Sequence, residues 1–151
     1  SPQNAFLLNL GLESLHVRMQ RHCELKMARF LESSEHVAHV TYCDLPGDKY
    51  HELAKKYLPN GSCGVVSFTV KGGRNAAENF MKHLRLIAIE THVADARSCC
   101  LHPASSTHRQ MTDAELHAAG VSPDLVRLSV GIENADDLIA DVKQALEAAH
   151  N

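Results

Sequence analysis

Apolar residues recur at helical spacing from the start of the chain. Ala5, Leu8, Leu12, Leu15, Met19 and Cys23 fall three or four apart, and Met27, Phe30 and Leu31 continue the stripe. This pattern predicts one long helix over residues 1–34. The period then changes. Residues 37–42, VAHVTY, read as a strand, and DLPGD after them has the residue types of a turn. Residues 51–58 return to helical spacing and stop at Pro59-Asn60-Gly61. Residues 63–70, CGVVSFTV, form the strongest strand pattern, punctuated by Gly72-Gly73.

A helix is expected over residues 76–84, with Ala77, Phe80, Met81 and Leu84 on one face, and a strand over 86–90. Residues 91–111 lack periodicity and carry small polar residues around Pro103, the composition of a functional loop. Thr112 and Glu115 have capping-box spacing, and Gly120 ends the helix they open. Residues 125–130 are a strand, Gly131 a turn, and Asn134 the N-cap of a last helix with Leu138, Ile139, Val142 and Leu146 inward. Helices and strands alternate without an internal repeat. The expected fold is α/β, an α+β two-layer unit over residues 35–151 with helices on one face of a roughly four-stranded sheet.

Composition narrows the function classes. The chain has 151 residues, 44% hydrophobic and 22% charged, enough for one domain with a real core. A net charge of −3 gives no electrostatic footprint for nucleic acid or an anionic membrane surface. No apolar run is long enough for a membrane span, and a cytoplasmic location is expected. The five cysteines, Cys23, Cys43, Cys63, Cys99 and Cys100, show no CxxC spacing and read as reduced, mostly buried small hydrophobes. Adjacent Cys99 and Cys100 would face opposite sides of a strand, poor geometry for a shared metal. The histidines form no HExxH pattern, so no metal site is assigned.

Neither a GxGxxG nor a Walker loop is present, and Gly72-Gly73-Arg74 reads as a turn. What stands out is Arg127, inside the apolar run LVRLSV. By strand alternation it shares a face with Leu125 and Ser129, while Val126, Leu128 and Val130 face the other way. A guanidinium there either pairs with an internal carboxylate or offers its planar fork to a carboxylate ligand. The strand taken alone favours the internal pair.

Longer strings change that balance. HPASSTH (102–108) followed by AAGVSPDLVRLSVGIENADDLIADVKQAL closely resembles the C-terminal signature of the cystathionine γ-synthase-like enzymes, the pyridoxal-phosphate enzymes of cysteine and methionine metabolism. SPQNAFLLNLGLESLHVRMQRH and LPGDKYHELAKKYLPNGSCGVVSF resemble earlier segments of the same family, so the likeness covers essentially the whole chain. The spelling VADARSCCLHPASSTH is most similar to the O-acetylhomoserine sulfhydrylase branch.

The resemblance implies the C-terminal small domain of a fold-type I enzyme, preceded by the tail of a long linking helix over residues 1–34. It implies pyridoxal 5'-phosphate as cofactor of the full-length enzyme, with none expected on these residues. The family's cofactor lysine, its phosphate-gripping tyrosine and arginine, and the aspartate for the pyridine nitrogen lie upstream of the SPxNAF segment. None of those motifs is found here, so the residues are expected to be inactive alone, with no catalytic residue among them. The implied partners are an amino-acid substrate, the N-terminal cofactor domain of the parent chain and, for the full enzyme, a homotetramer.

By the same resemblance Arg127 is the substrate-carboxylate anchor, Thr107 helps to position it or the carboxylate, and His92 and Val93 lie on the loop that closes over the group. His92 departs from the expected asparagine or serine, and Ala94 replaces a common glycine. The implied reaction is γ-replacement, giving homocysteine or methionine in methionine biosynthesis and transsulfuration. A γ-lyase, a cystathionine γ-synthase and a non-catalytic self-associating module remain as alternatives.

Overall fold

The computed structural model describes residues 1–22 and 24–151. Cys23, counted on the apolar stripe of the first helix, lies outside the described residues. The expected single helix is divided into α1 (Pro2–Glu13), α2 (Leu15–Arg21) and α3 (Glu24–Ser33). Ser1 caps α1 through its hydroxyl, which accepts from the Asn4 amide. Neither α1 nor α2 buries a residue, and Phe6, Leu7, Leu8, Leu10 and Leu12 are exposed. Only α3 turns its apolar stripe inward, burying Met27, Ala28 and Leu31.

The sheet has five strands among the described residues, one more than the periodicity suggests. They are β1 (Val37–Thr41), β2 (Val65–Val70), β3 (Ala88–Ile89), β4 (Cys99–Leu101) and β5 (Leu125–Ser129). Their spatial order is β1-β2-β5-β4-β3, antiparallel except for the β3–β4 edge. The additional strand is β4, inside the segment expected to be loop. Three residues are too few to show a period, so their strand state comes from pairing with β5. The connecting helices are α4 (His51–Tyr57), α5 (Gly73–His83), α6 (Asp113–Ala118) and α7 (Ala135–His150). Helix α5 begins three residues before the expected start, directly after Gly72 at φ 95°, a left-handed conformation that suits glycine.

Strand β2 alternates half-buried with buried residues, and β5 does so up to Leu128. Val66, Phe68, Val70, Val126 and Leu128 join Cys100 in a core closed by Met27 and Leu31 of α3, Phe80 and Met81 of α5, and Leu138, Val142 and Leu146 of α7. Phe68 and Phe80 meet edge to face with ring centroids 5.7 Å apart. Burial of each such side chain contributes about 1.5–3 kcal/mol. The opposite face of the sheet carries Ser67, Thr69 and Arg127, all half-buried. Among the described residues no helix is long and apolar enough to cross a membrane.

Candidate functional site

Arg127 sits at the centre of β5, paired with Ser67 of β2 on one side and Leu101 of β4 on the other. Its neighbours Val126 and Leu128 fill the core, so alternation turns the guanidinium to the face away from the helices. Nη2 donates to the Thr91 carbonyl at 2.8 Å and reaches the His92 carbonyl at 3.5 Å. Nε is buried and has no hydrogen-bond partner. Among the described residues no carboxylate lies within ion-pair distance of the guanidinium. Among the described residues, the internal ion pair that the strand alone favours is therefore not formed. A buried, orphaned donor on a permanently charged group calls for an acceptor from outside.

The loop between β3 and β4 carries the rest. Thr91, His92 and Val93 are exposed, and the His92 imidazole lies 4.0 Å from the Glu90 carboxylate. Thr107 is exposed on the turn after the short 3-10 helix Pro103–Ser105, its hydroxyl 2.9 Å from Nδ1 of His108. Arg127 thus meets the backbone of His92, Val93 follows in the same loop, and Thr107 contacts its own neighbour instead of the guanidinium.

Two supports of this loop were not recognisable as such in the sequence. Ala94, at φ 62°, is the non-glycine residue in the left-handed region among the described residues, and its amide donates to Ser129 Oγ at 3.0 Å. Glu133 accepts from the Ser98 amide at 2.7 Å and its hydroxyl at 2.9 Å, while Ser98 Oγ accepts from the Gly131 amide. Gly131 is required by close approach, since a Cβ there would lie 2.5 Å from the Ala96 carbonyl oxygen. These contacts give the Gly-Ile-Glu string a physical role: it binds the end of β5 to the strand entering β4. The turn after β4 is held separately by His102, buried, with Nε2 2.8 Å from the Pro123 carbonyl and Nδ1 2.8 Å from Ser105 Oγ. A carbonyl only accepts, so Nε2 carries the proton, and Nδ1 takes the Ser105 hydroxyl hydrogen when the ring is neutral.

The cysteines divide as their strand position predicts. Cys100 faces the core, with Sγ 3.6 Å from Met81 Sδ, and burial pushes its thiol pKa up. Cys99 faces the Arg127 side. Burial raises its thiol pKa, opposed by the Ser129 hydrogen bond and the Arg127 charge. Cys43 is half-buried and Cys63 exposed. The Gly72-Gly73-Arg74 turn offers a cofactor phosphate no cradle, because the Arg74 guanidinium is engaged by the Ala104 carbonyl and Asp113. The geometry fits an anionic carboxylate at Arg127 and assigns no residue to the cofactor.

Comparison with known proteins identifies the family of the chain. The family model described as Cys/Met metabolism PLP-dependent enzyme matches residues 1–147. The O-acetyl-L-homoserine sulfhydrylase of Leptospira meyeri is 43% identical over 150 residues, covering 97% of this chain and 34% of that protein. The homocysteine synthase of Schizosaccharomyces pombe is 44% identical over 151 residues, covering 99% and 35%. A crystal structure from Campylobacter jejuni, described as an O-acetylhomoserine (thiol)-lyase holding N'-pyridoxyl-lysine-5'-monophosphate, superposes with a TM-score of 0.88. It is 42% identical and covers 97% of this chain and 35% of its own. The chain spans about a third of the length of the curated relatives it matches. By sequence and by fold, the chain belongs to the family of pyridoxal-phosphate-dependent enzymes of cysteine and methionine metabolism.

Proposed function

We propose that this chain supplies the substrate-carboxylate anchor of a pyridoxal-phosphate-dependent O-acetylhomoserine sulfhydrylase, the activity named for its relatives. The observation that carries the reading is Arg127: held on one side by two carbonyls, buried at Nε, and matched to no carboxylate among the described residues. A substrate α-carboxylate accepting from this fork would complete its hydrogen bonding in bidentate fashion. The Thr91–Ala94 loop would border that group, with His92 and Val93 above it and Thr107 nearby on the next turn. Fixing the carboxylate holds the substrate's Cα–H bond in one orientation, which helps to select the reaction that follows. Bound pyridoxal phosphate supplies an electron sink for that reaction. In this reading the chain contributes recognition and alone turns over no substrate.

The test is Arg127→Ala in the holoenzyme that contains this chain. Loss of a charge-assisted bidentate pair is expected to raise KM for O-acetylhomoserine about 100-fold, from about 3 kcal/mol. KM for sulfide should stay near wild type, and the 151 residues alone should give no turnover in the same assay. An unchanged KM for O-acetylhomoserine would reject the assignment. Replacing sulfide with cysteine as the nucleophile, or omitting it, separates this reaction from cystathionine synthesis and γ-elimination.

A further inference from the structure

The loop around Arg127 is held from below by two side chains on neighbouring strands. Cys99 of β4 and Ser129 of β5 are ladder partners, exposed by only 3% and 1%. The Cys99 thiol donates to the His92 carbonyl at 3.0 Å, the oxygen that also lies 3.5 Å from Arg127 Nη2. Ser129 Oγ accepts from the Ala94 amide at 3.0 Å. Thiol and hydroxyl, side by side on paired strands, thus brace one loop at residues 92 and 94. Inside it Ala94 keeps a left-handed φ of 62°, a conformation that an L-residue holds only when its surroundings over-determine it. Mere packing would be served by an apolar pair, as at Val66 and Leu128 on the other face.

We propose that Cys99 and Ser129 are positioning residues for the carboxylate site, setting the Thr91–Ala94 carbonyls and through them the pose of Arg127. The thiol acts here as a donor and undergoes no chemistry. Burial supports this by keeping the thiol protonated, so that its S–H stays available to the carbonyl. The inference rests on Arg127 as the carboxylate anchor.

The test uses the holoenzyme with Cys99→Ala, Cys99→Ser and Ser129→Ala, and Arg127→Ala as reference. KM for O-acetylhomoserine is expected to rise about tenfold in Cys99→Ala and in Ser129→Ala, the effect of one buried hydrogen bond. kcat and KM for sulfide should stay within about twofold. Cys99→Ser keeps a donor for the His92 carbonyl and should restore KM to within about threefold of wild type. The double Cys99→Ala/Ser129→Ala variant should fall short of the product of the two single effects, because both loosen one loop. If Arg127→Ala raises this KM while Cys99→Ala and Ser129→Ala do not, the positioning role is overturned and the carboxylate reading stands. An equal rise in KM for sulfide, or no rescue by Cys99→Ser, also overturns it. An unchanged KM in Arg127→Ala removes the carboxylate reading and this inference together.

Discussion

Asp141 offers the sharpest test of how the fold supports this site. It lies on α7, 6% exposed, and its carboxylate receives three successive backbone amides. Oδ1 accepts from Arg85 at 2.9 Å, and Oδ2 accepts from Leu86 at 2.9 Å and Ile87 at 3.0 Å. Gln144 Nε2 adds a fourth bond to Oδ1 at 3.0 Å. Together they form the turn that leads α5 into β3, whose end lies two residues before Thr91. Hydrogen bonds to a charged acceptor contribute about 1.5–3 kcal/mol each, but these share one group and do not add. Arg85 and Leu86 are exposed, so water can replace the carboxylate at their amides, whereas Ile87 is buried and its amide is stranded. Asp141→Ala should therefore cost about 3 kcal/mol. Asp141→Asn keeps the oxygen facing Leu86 and Ile87 and loses the one facing Arg85, and should cost about half as much. Urea unfolding of the chain gives the free energies directly. By thermal melting the alanine variant should fall by about 6–12 °C. A loss below about 0.5 kcal/mol for Asp141→Ala would refute the carboxylate as the organiser of this turn.

Two further outcomes follow from local geometry. Ala94→Gly relieves the left-handed strain at φ 62° while freeing the unfolded chain, for a net gain of about 0.5–1 kcal/mol; a destabilised variant in the same urea assay would contradict the strain. Glu115 accepts from the Thr112 amide at 2.7 Å and hydroxyl at 2.8 Å, which holds its carboxyl below the ordinary value of 4.5. A depressed folded pKa means that the capping contribution is complete above the unfolded value and is lost as pH falls through the folded one. The Thr112 amide resonance should therefore titrate below pH 4.5 in wild type but not in Glu115→Ala, and identical acid profiles would exclude the coupling.

The elements whose signals are local were legible without a structure. The capping box at Thr112, the Asn134 cap of α7 and the alternation of β2 and β5 depend on residues a few positions apart. The same alternation placed Arg127 opposite the core face and put Cys99 and Cys100 on opposite sides of β4. Family strings then turned Arg127 from a candidate ion pair into a candidate ligand site.

What the chain alone did not reveal depends on partners far apart in sequence. Strand β4 exists because β5 pairs with it, the helix breaks at Ser14 and His22 interrupt a continuous apolar stripe, and α1 and α2 leave theirs exposed. Asp141 reads as an ordinary polar residue on a helix until residues 85–87 aim three amides at it, 54–56 positions away. Cys99 and Ser129 read as small strand fillers until the loop at 92–94 closes over them. Periodicity and capping are properties of a few consecutive residues, so the sequence by itself determined the capped starts of α6 and α7 and the strands β2 and β5 with the face each buries. Hydrogen-bond satisfaction is settled only when distant segments meet, so tertiary structure alone decided that Arg127 has carbonyl neighbours, no carboxylate partner among the described residues and an unpaired buried donor.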